Sequence, residues 1–561
     1  MIAKILVFSV FIFGSLARPD LSLAQERQGA RQLSQPKVIN ESSPTNSQLS
    51  QDNLPPSITN ETSREKFFIR EFKIVGNTVF LRGQLLQLLA PYQNQEFLQS
   101  QLPNIASVIT DFYNKNEYLT SFAFVQNIRD NIATIQVIEG QIGQIELEIK
   151  KGVICPLFIK DRLRHLENKP LNSQEIKRAI ATLYFNDRID YINYDLEKTE
   201  TDRPDSTTLK VTADTVSRFN LAIGTDNRRN PFLGETTLRV AIGLNSILVC
   251  GDLALAGYVG TRGTEGGDFL YAVPIGSNDA RLTLKTGINS NGVIANPFAE
   301  ANPETNFDYV EVDFLYPLIQ SPTQKLTLGV VFSRLSSQSF ILDRGVPISK
   351  GADDFGRLKD LVIRFPQSYI RRQPGEKLEF YSQFSLGSNV FKPTVSEDQP
   401  DSNFFIWQGE GKYSRYLNKD ILLVVGGFLQ FTPDSLTALE QAYLGGLDSV
   451  RGYRVAIVTG DNAARGSFEV RFIVWKPKKN MEFQIVPFFD VGTGWNNNAA
   501  TTLEDNFIAS TGLELRFVIF EKLEARLGVG VPWVNVRDRN ITNSFQEKGG
   551  YFSFIWRALE F

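Results

Sequence analysis

Residues 216–561 repeat one pattern, an apolar side chain at every second position. Leu523, Ala525, Leu527, Val529 and Val531 alternate with Glu524, Arg526, Gly528 and Gly530, and Phe468, Val470, Phe472 and Val474 alternate with Glu469, Arg471 and Ile473. Leu513, Leu515 and Phe517 alternate with Glu514 and Arg516. A period of two places successive side chains on opposite faces of a β-strand, so these 346 residues are expected to be all strand and connection. A soluble sandwich turns its apolar rows inward, whereas a membrane barrel turns them out. Periodicity alone does not separate the two.

Connection lengths do. Sixteen candidate strands begin between Asn220 and Tyr551. Short connections such as Pro274 to Asp279, Arg371 to Glu376 and Phe520 to Lys522 alternate with long ones such as Ser333 to Gly356, Thr432 to Arg465 and Pro532 to Gly550. Short turns at one end and long loops at the other are the build of an outer-membrane barrel, whose even strand count leaves no open edge. The allotment of about 22 residues per strand and connection exceeds the roughly 9–11 that a tilted strand needs to cross a bilayer. The expected class is therefore a membrane β-barrel of about 16 antiparallel strands. Phe561, preceded by Leu559 and Ile555, ends the chain on an apolar row that Arg557 interrupts.

The N-terminus fits export. Lys4 precedes an apolar run from Ile5 to Leu16, and small residues at Ser22 and Ala24 flank Leu23. That arrangement reads as a signal peptide over 1–24, and the run is too short to span a membrane as a helix. Residues 25–66 are rich in Gln, Ser, Asn and Pro and read as a polar linker or a plug segment. With one histidine (His165), two cysteines (Cys155, Cys250) and a net charge of −3, the chain has little for a multi-histidine metal site, a zinc module or nucleic-acid binding. His165 reads as a solvated helix residue, and whether Cys155 and Cys250 pair is left open. No cofactor or metal is expected, and the chain is not expected to be an enzyme.

Between linker and barrel, one element order occurs twice. Phe68 to Val75 reads as a strand ending at Gly76-Asn77. Leu98, Leu102, Ile105, Ile109 and Phe112 form a helical face, and Tyr118 to Gln126 and Ile132 to Ile138 read as strands. The second copy opens with Ile145, Leu147 and Ile149 alternating with charges. It continues with a helix capped by Asn172, and closes with strands near Asp190 to Leu196 and Thr208 to Thr212. Each copy is an α+β βααββ module, expected over 67–141 and 142–215, ahead of a barrel over 216–561.

The segments FFIREFKIVGNTVF, DFYNKNEYLTSFAF and IQVIEGQIGQIELE resemble a POTRA domain of the ShlB/FhaC/HecB type. Two departures are visible: Glu117 stands where the family carries the glycine of a GY pair, and Asn131 where a DG turn is usual. The second module resembles the family's second POTRA domain more loosely. The longest connection carries Val450-Arg451-Gly452-Tyr453, and the thirteenth candidate strand carries Phe488-Phe489-Asp490-Val491-Gly492. This arrangement is similar to two-partner secretion transporters (TpsB), a resemblance that implies a long loop folded into the lumen with its arginine paired to the strand aspartate.

The residues support that implication. Phe483, Ile485, Phe489 and Val491 share one face of their strand and Glu482, Gln484 and Asp490 the other. A lipid-facing apolar row thus sends Asp490 into the lumen, where a guanidinium can bind it with two hydrogen bonds. Gly452 lets the loop backbone turn tightly or pass close to the wall. The alternative readings are an exposed loop arginine, or a pair that is structural and gates nothing.

The gating set expected from the resemblance is Arg451, Gly452, Tyr453, Asp490 and Gly492. The residues that bind an unfolded client are left open; their expected region is the modules, near Phe72, Gly76 and Asn77. The implied function is export of a large secreted exoprotein (TpsA-like) across the outer membrane, with the modules in the periplasm. The other expected partners are outer-membrane lipid and, during biogenesis, the barrel-assembly machinery; nucleic acid is not one. An insertase for other barrels and a passive porin are the alternatives.

Overall fold

The computed structural model describes residues 65–198, 205–276, 278–296, 298–388, 400–478, 480–497, 506–520, 522–536 and 542–561. The expected signal peptide and almost all of the linker lie outside them. The chain divides into two compact units, one within Pro36–Val216 and one containing Ser217–Phe561.

In the first unit, β1 (Lys66–Ile69) and β2 (Glu71–Val75) split at Arg70 what the sequence reads as one strand. Helix α1 (Arg82–Leu89) follows, and β3 (Gln95–Leu98) then pairs with β1. Leu98 therefore sits on a strand, not on the helix that the apolar spacing assigns it to. Helix α2 (Leu102–Lys115) keeps Ile105, Ile109 and Tyr113 buried. Strands β4 (Phe122–Arg129) and β5 (Ile132–Ile138) complete a sheet in the order β2-β5-β4, with β2 parallel to β5.

Strand β6 (Gln141–Lys151), α3 (Pro156–Leu163), α4 (Ser173–Tyr184), β7 (Ile189–Lys198) and β8 (Ser206–Thr215) repeat that plan. Their order is β6-β8-β7 with β6 parallel to β8. The Asn172 side chain caps α4 by accepting from the backbone N–H groups of Gln174 and Glu175.

Both departures from the expected turn glycines adopt the left-handed backbone that glycine favours: Glu117 has φ +71°, and Asp130 and Asn131 have +52° and +63°. Glu117 also ties the two modules together. Its carbonyl accepts from the Ser173 N–H at 2.9 Å and its carboxylate from the Ser173 hydroxyl, at the positive end of α4. His165 is exposed, with Nδ1 3.0 Å from the Arg162 carbonyl. Neither cysteine is a free thiol.

The second unit is a closed antiparallel barrel of sixteen long strands. They are β9 (Phe219–Asp226), β10 (Thr237–Asn245), β11 (Leu253–Gly260), β12 (Thr264–Ile275), β13 (Ala280–Gly292), β14 (Pro303–Gln320) and β15 (Gln324–Ile341). After the two-residue β16 (Arg344–Gly345), the wall continues through β17 (Arg357–Gln373), β18 (Glu376–Gly387), β19 (Phe405–Asn418) and β20 (Ile421–Phe431). A small hairpin, β21 (Ala442–Leu444) and β22 (Val458–Gly460), interrupts it. The wall resumes with β23 (Asn462–Lys478), β24 (Met481–Trp495), β25 (Phe507–Ile519), β26 (Leu523–Pro532) and β27 (Gly550–Glu560), which closes on β9.

The direction of the alternation is now decided. Leu527, Val529, Phe468 and Trp556 are exposed on the outside, while Glu469, Asp490 and Glu514 are buried inside. That is the inversion a lipid-surrounded wall requires. The last strand carries its own correction. Phe554 and Trp556 face outward and Ile555 inward by alternation, and a register shift between Arg557 and Leu559 brings Leu559 and Phe561 onto the same outer side. Arg557 does not interrupt the outer row: it follows Ile555 on the inner side by ordinary alternation, and the bulge after it returns Leu559 and Phe561 to the outside.

Candidate functional site

Residues 432–461, between β20 and β23, fold back within the barrel rather than away from it: Val450, Arg451, Gly452 and Tyr453 are all buried. Strand β24 presents Phe488 and Asp490 inward because its even-numbered positions face the lumen. Arg451 meets Asp490 in two parallel hydrogen bonds, Nε to Oδ2 at 2.7 Å and Nη2 to Oδ1 at 2.8 Å. The Arg451 backbone N–H adds a third at 3.1 Å. The guanidinium also donates to Glu469 Oε1 at 2.8 Å and to the Ser467 hydroxyl at 3.2 Å, and it lies 3.7 Å above the centre of the Phe488 ring. At 3% exposure the charge is fully withdrawn from water. A desolvated guanidinium is tolerable only when its donors are taken up this completely.

The carboxylates around it are held in turn. Arg471 Nη2 donates to Glu469 at 2.7 Å, and Arg516 and Arg526 donate to Glu514 at 2.6 and 3.0 Å. The charged rows on β23, β25 and β26 thus form one network centred on the loop arginine. Periodicity places Glu469, Arg471, Glu514, Arg516 and Arg526 on inward rows. Their convergence on Arg451, and the part played by Phe488 and Ser467, carry no signal in the local pattern.

Gly452 and Gly492 make the approach possible. Gly452 has φ +89°, and a Cβ there would sit 2.9 Å from the backbone carbon of Gly530 on β26. A Cβ at Gly530 would in turn lie 2.7 Å from the Gly452 Cα. The loop backbone therefore lies directly on a glycine of the wall. At Gly492 a Cβ would press on Val450 and Leu444 at 3.0 and 3.1 Å. The Tyr453 hydroxyl lies 2.9 Å from the carbonyls of both Ala509 and Val534 and accepts from the Val534 N–H.

The base of the same loop has a second clamp that sequence reasoning missed. Asp461, wholly buried, accepts from Lys350 Nζ at 3.0 Å, Gln441 Nε2 at 2.8 Å and the backbone N–H groups of Leu436 and Asn497 at 3.1 Å each. Beside it, Arg364 binds Glu440 at 2.6 and 3.0 Å, and the hydroxyls of Ser402 and Thr437 donate to Asp360. These contacts bring three other outer connections onto one loop.

In the first module Phe72 is buried in the core, so its ring offers no contact surface. Gly76 and Asn77 open a loop that Glu139 pins. The carboxylate accepts from the N–H groups of Thr78 and Val79 at 2.8 and 2.9 Å and from the Tyr113 hydroxyl at 2.6 Å. Burial, and then the Glu139 hydrogen bond, push the Tyr113 pKa up and keep that hydroxyl a donor. This joins the GNT and EG strings, whose Thr78 and Glu139 are 61 positions apart, into one structural unit.

A family model for haemolysin secretion/activation protein ShlB/FhaC/HecB matches residues 205–517, and one for the ShlB-type POTRA domain matches 67–140. The heme/hemopexin transporter protein HuxB of Haemophilus influenzae (strain 86-028NP) is 23% identical over 482 residues, covering 80% of each chain. The solved structure of CdiB from Escherichia coli superposes with a TM-score of 0.63 at 16% identity, over 96% of this chain and 99% of that one. The outer membrane protein assembly factor BamA of Nitratidesulfovibrio vulgaris (strain ATCC 29579 / DSM 644 / CCUG 34227 / NCIMB 8303 / VKM B-1760 / Hildenborough) is 30% identical over 100 residues, 16% of this chain and 13% of its own length.

Proposed function

The chain belongs to the haemolysin secretion/activation family ShlB/FhaC/HecB, and on that premise we propose how it acts as an outer-membrane translocator. Residues 67–141 and 142–215 serve as two successive POTRA domains in the periplasm, and the client is one large TpsA-like exoprotein delivered unfolded. In the sheet orders β2-β5-β4 and β6-β8-β7, strands β2, β4, β6 and β7 lie at edges. An edge offers backbone hydrogen bonds to an extended client without demanding its sequence. In the first module such capture falls on the β2 backbone and its outward side chains, since Phe72 belongs to the core.

The observation that carries the gating half is the buried, doubly bonded Arg451–Asp490 pair. It holds residues 432–461 inside the pore in the resting state, so export requires that the pair separate or move as a body. Gly452, Tyr453 and Gly492 seat the loop against the wall. The family is one of transporters, and no reaction is assigned to this chain. Biogenesis by the barrel-assembly machinery and solvation by outer-membrane lipid complete the proposed partners.

The test compares the medium and the outer membrane of the source organism with the gene deleted, restored, or restored as Arg451→Ala. Loss of one or a few large exoproteins on deletion, with other barrels unchanged, is the expected result, and Arg451→Ala should export less from a normally assembled barrel. A broad fall in outer-membrane barrels would make the chain an insertase. Normal export by Arg451→Ala would remove the pair from the mechanism.

A further inference from the structure

The connection from β10 to β11 lies at the end of the barrel where β9 enters and β27 leaves, the periplasmic end. Several other connections at that end are polar, as in Ser321-Pro322-Thr323, Pro374-Gly375 and Lys419-Asp420. This one reads Ser246-Ile247-Leu248-Val249-Cys250-Gly251-Asp252. Leu248 is 77% exposed, and Ile247 and Val249 are each 46% exposed. Three consecutive bare aliphatic side chains at an aqueous rim are costly unless something apolar covers them.

The turn is built to hold them out. The Asp252 carboxylate accepts the backbone N–H groups of Ile247, Leu248 and Val249 at 2.6, 2.9 and 3.0 Å. Gly251 donates to the Ser246 hydroxyl, and Ser246 and Gly251 take φ of +54° and +78°. With the backbone curled inward around a carboxylate, the side chains have only the outside left to them.

The turn also leans toward one side of the wall. The Tyr271 hydroxyl donates to Asp252 at 2.7 Å. On β12 the outward row is Phe269, Tyr271, Val273 and Ile275, with Phe269 and Ile275 strongly exposed. The turn is therefore hooked to the lipid side of the barrel, not to its lumen. On its other flank Leu244 pairs with Phe219, whose ring stacks on Phe561 at 5.0 Å. The three aliphatic side chains thus continue the lipid-facing band across the periplasmic rim, beside the seam where β27 closes on β9.

We propose that Ile247, Leu248 and Val249 form a wedge seated in the periplasmic leaflet of the outer membrane, with phospholipid at the glycerol and upper acyl level as its partner. The wedge pins the first hairpin of the barrel in the bilayer next to the closing seam. A client polypeptide is not the partner, because the turn leans away from the lumen through which a client passes.

The experiment replaces Leu248 with the photo-crosslinker p-benzoyl-phenylalanine in the full chain, inserted into phosphatidylethanolamine–phosphatidylglycerol vesicles. Thr323, in a polar turn at the same end, is replaced in a parallel sample. Only the correctly inserted fraction, identified by heat-modifiable migration, is read by mass spectrometry. Irradiation should add the mass of one phospholipid to the peptide bearing position 248 and leave the peptide bearing position 323 without it. Spectra are read after disulfide reduction, so that Cys250 carries no second peptide. No lipid adduct at 248, or a photo-adduct joining it to residues 65–216 or to another polypeptide, would overturn the proposal. A milder variant, Val249→p-benzoyl-phenylalanine, repeats the reading where the first inserts poorly, and it is held to the same outcomes.

Discussion

At the scale of single residues, two side chains do more than their position in the sequence suggests. Arg451 holds its loop through a chelated carboxylate, and removing either partner strands the other in a dry site at about 3–5 kcal/mol. Arg451→Ala should leave the barrel heat-modifiable but expose residues 432–461 to protease added outside. Arg451→Lys should fall between, since an ammonium cannot place two parallel donors on Asp490. Glu117 is the second case. Its left-handed backbone costs roughly 1–2 kcal/mol relative to glycine, yet its carboxylate bonds the Ser173 hydroxyl at the start of α4. A charge-assisted hydrogen bond returns about 1.5–3 kcal/mol. Glu117→Gly should therefore loosen the junction of the two modules despite relieving the backbone, seen as faster amide exchange at Ser173 and Gln174. No change in exchange would mean that the tie contributes nothing.

At the scale of elements, the alternation on β26 serves two surfaces at once. Leu527, Val529 and Val531 face out, and Gly528 and Gly530 leave the inside flat enough for the Tyr551 ring and the Gly452 backbone to lie on it. Gly530→Val should displace the loop without touching any charge and so reproduce the protease sensitivity of Arg451→Ala. Gly466→Ala is the control, since a Cβ there meets only ordinary contact with Val491 at 3.5 Å. Equal behaviour of the two variants would show that close backbone approach is not what seats the loop. The sequence shows glycines here as pauses in an apolar pattern and says nothing of what they face. The bulge after Arg557 was illegible for a related reason: a one-residue register shift is set by the partner strand β9, not by the residues that shift.

At the scale of the whole molecule, the loop 432–461 is held at two places, its tip on Asp490 and its base on Asp461. The base clamp gathers Lys350, Gln441 and the Asn497 backbone around one buried carboxylate. Asp461→Ala should free the outer connections while leaving the Arg451 pair made. In planar bilayers this variant is expected to show frequent brief openings, against the long-lived ones expected of Arg451→Ala. Identical traces would mean that the two clamps act as one.

What the chain carries in its own order is what local spacing can carry. The period of two, the alternation of short and long connections and the repeated βααββ pattern give the sixteen-stranded wall and the modules ahead of it, and residue parity alone turns Asp490 inward. Folding decided the rest. The convergence of Glu469, Ser467 and Phe488 on Arg451, the Glu139 pin on the Gly76-Asn77 loop, the Asp461 clamp and the outward hook of the Ile247–Val249 turn all join residues across strands or across loops. Such contacts are fixed by barrel closure and strand register, which depend on every pairing at once and leave no mark at either end of any single one.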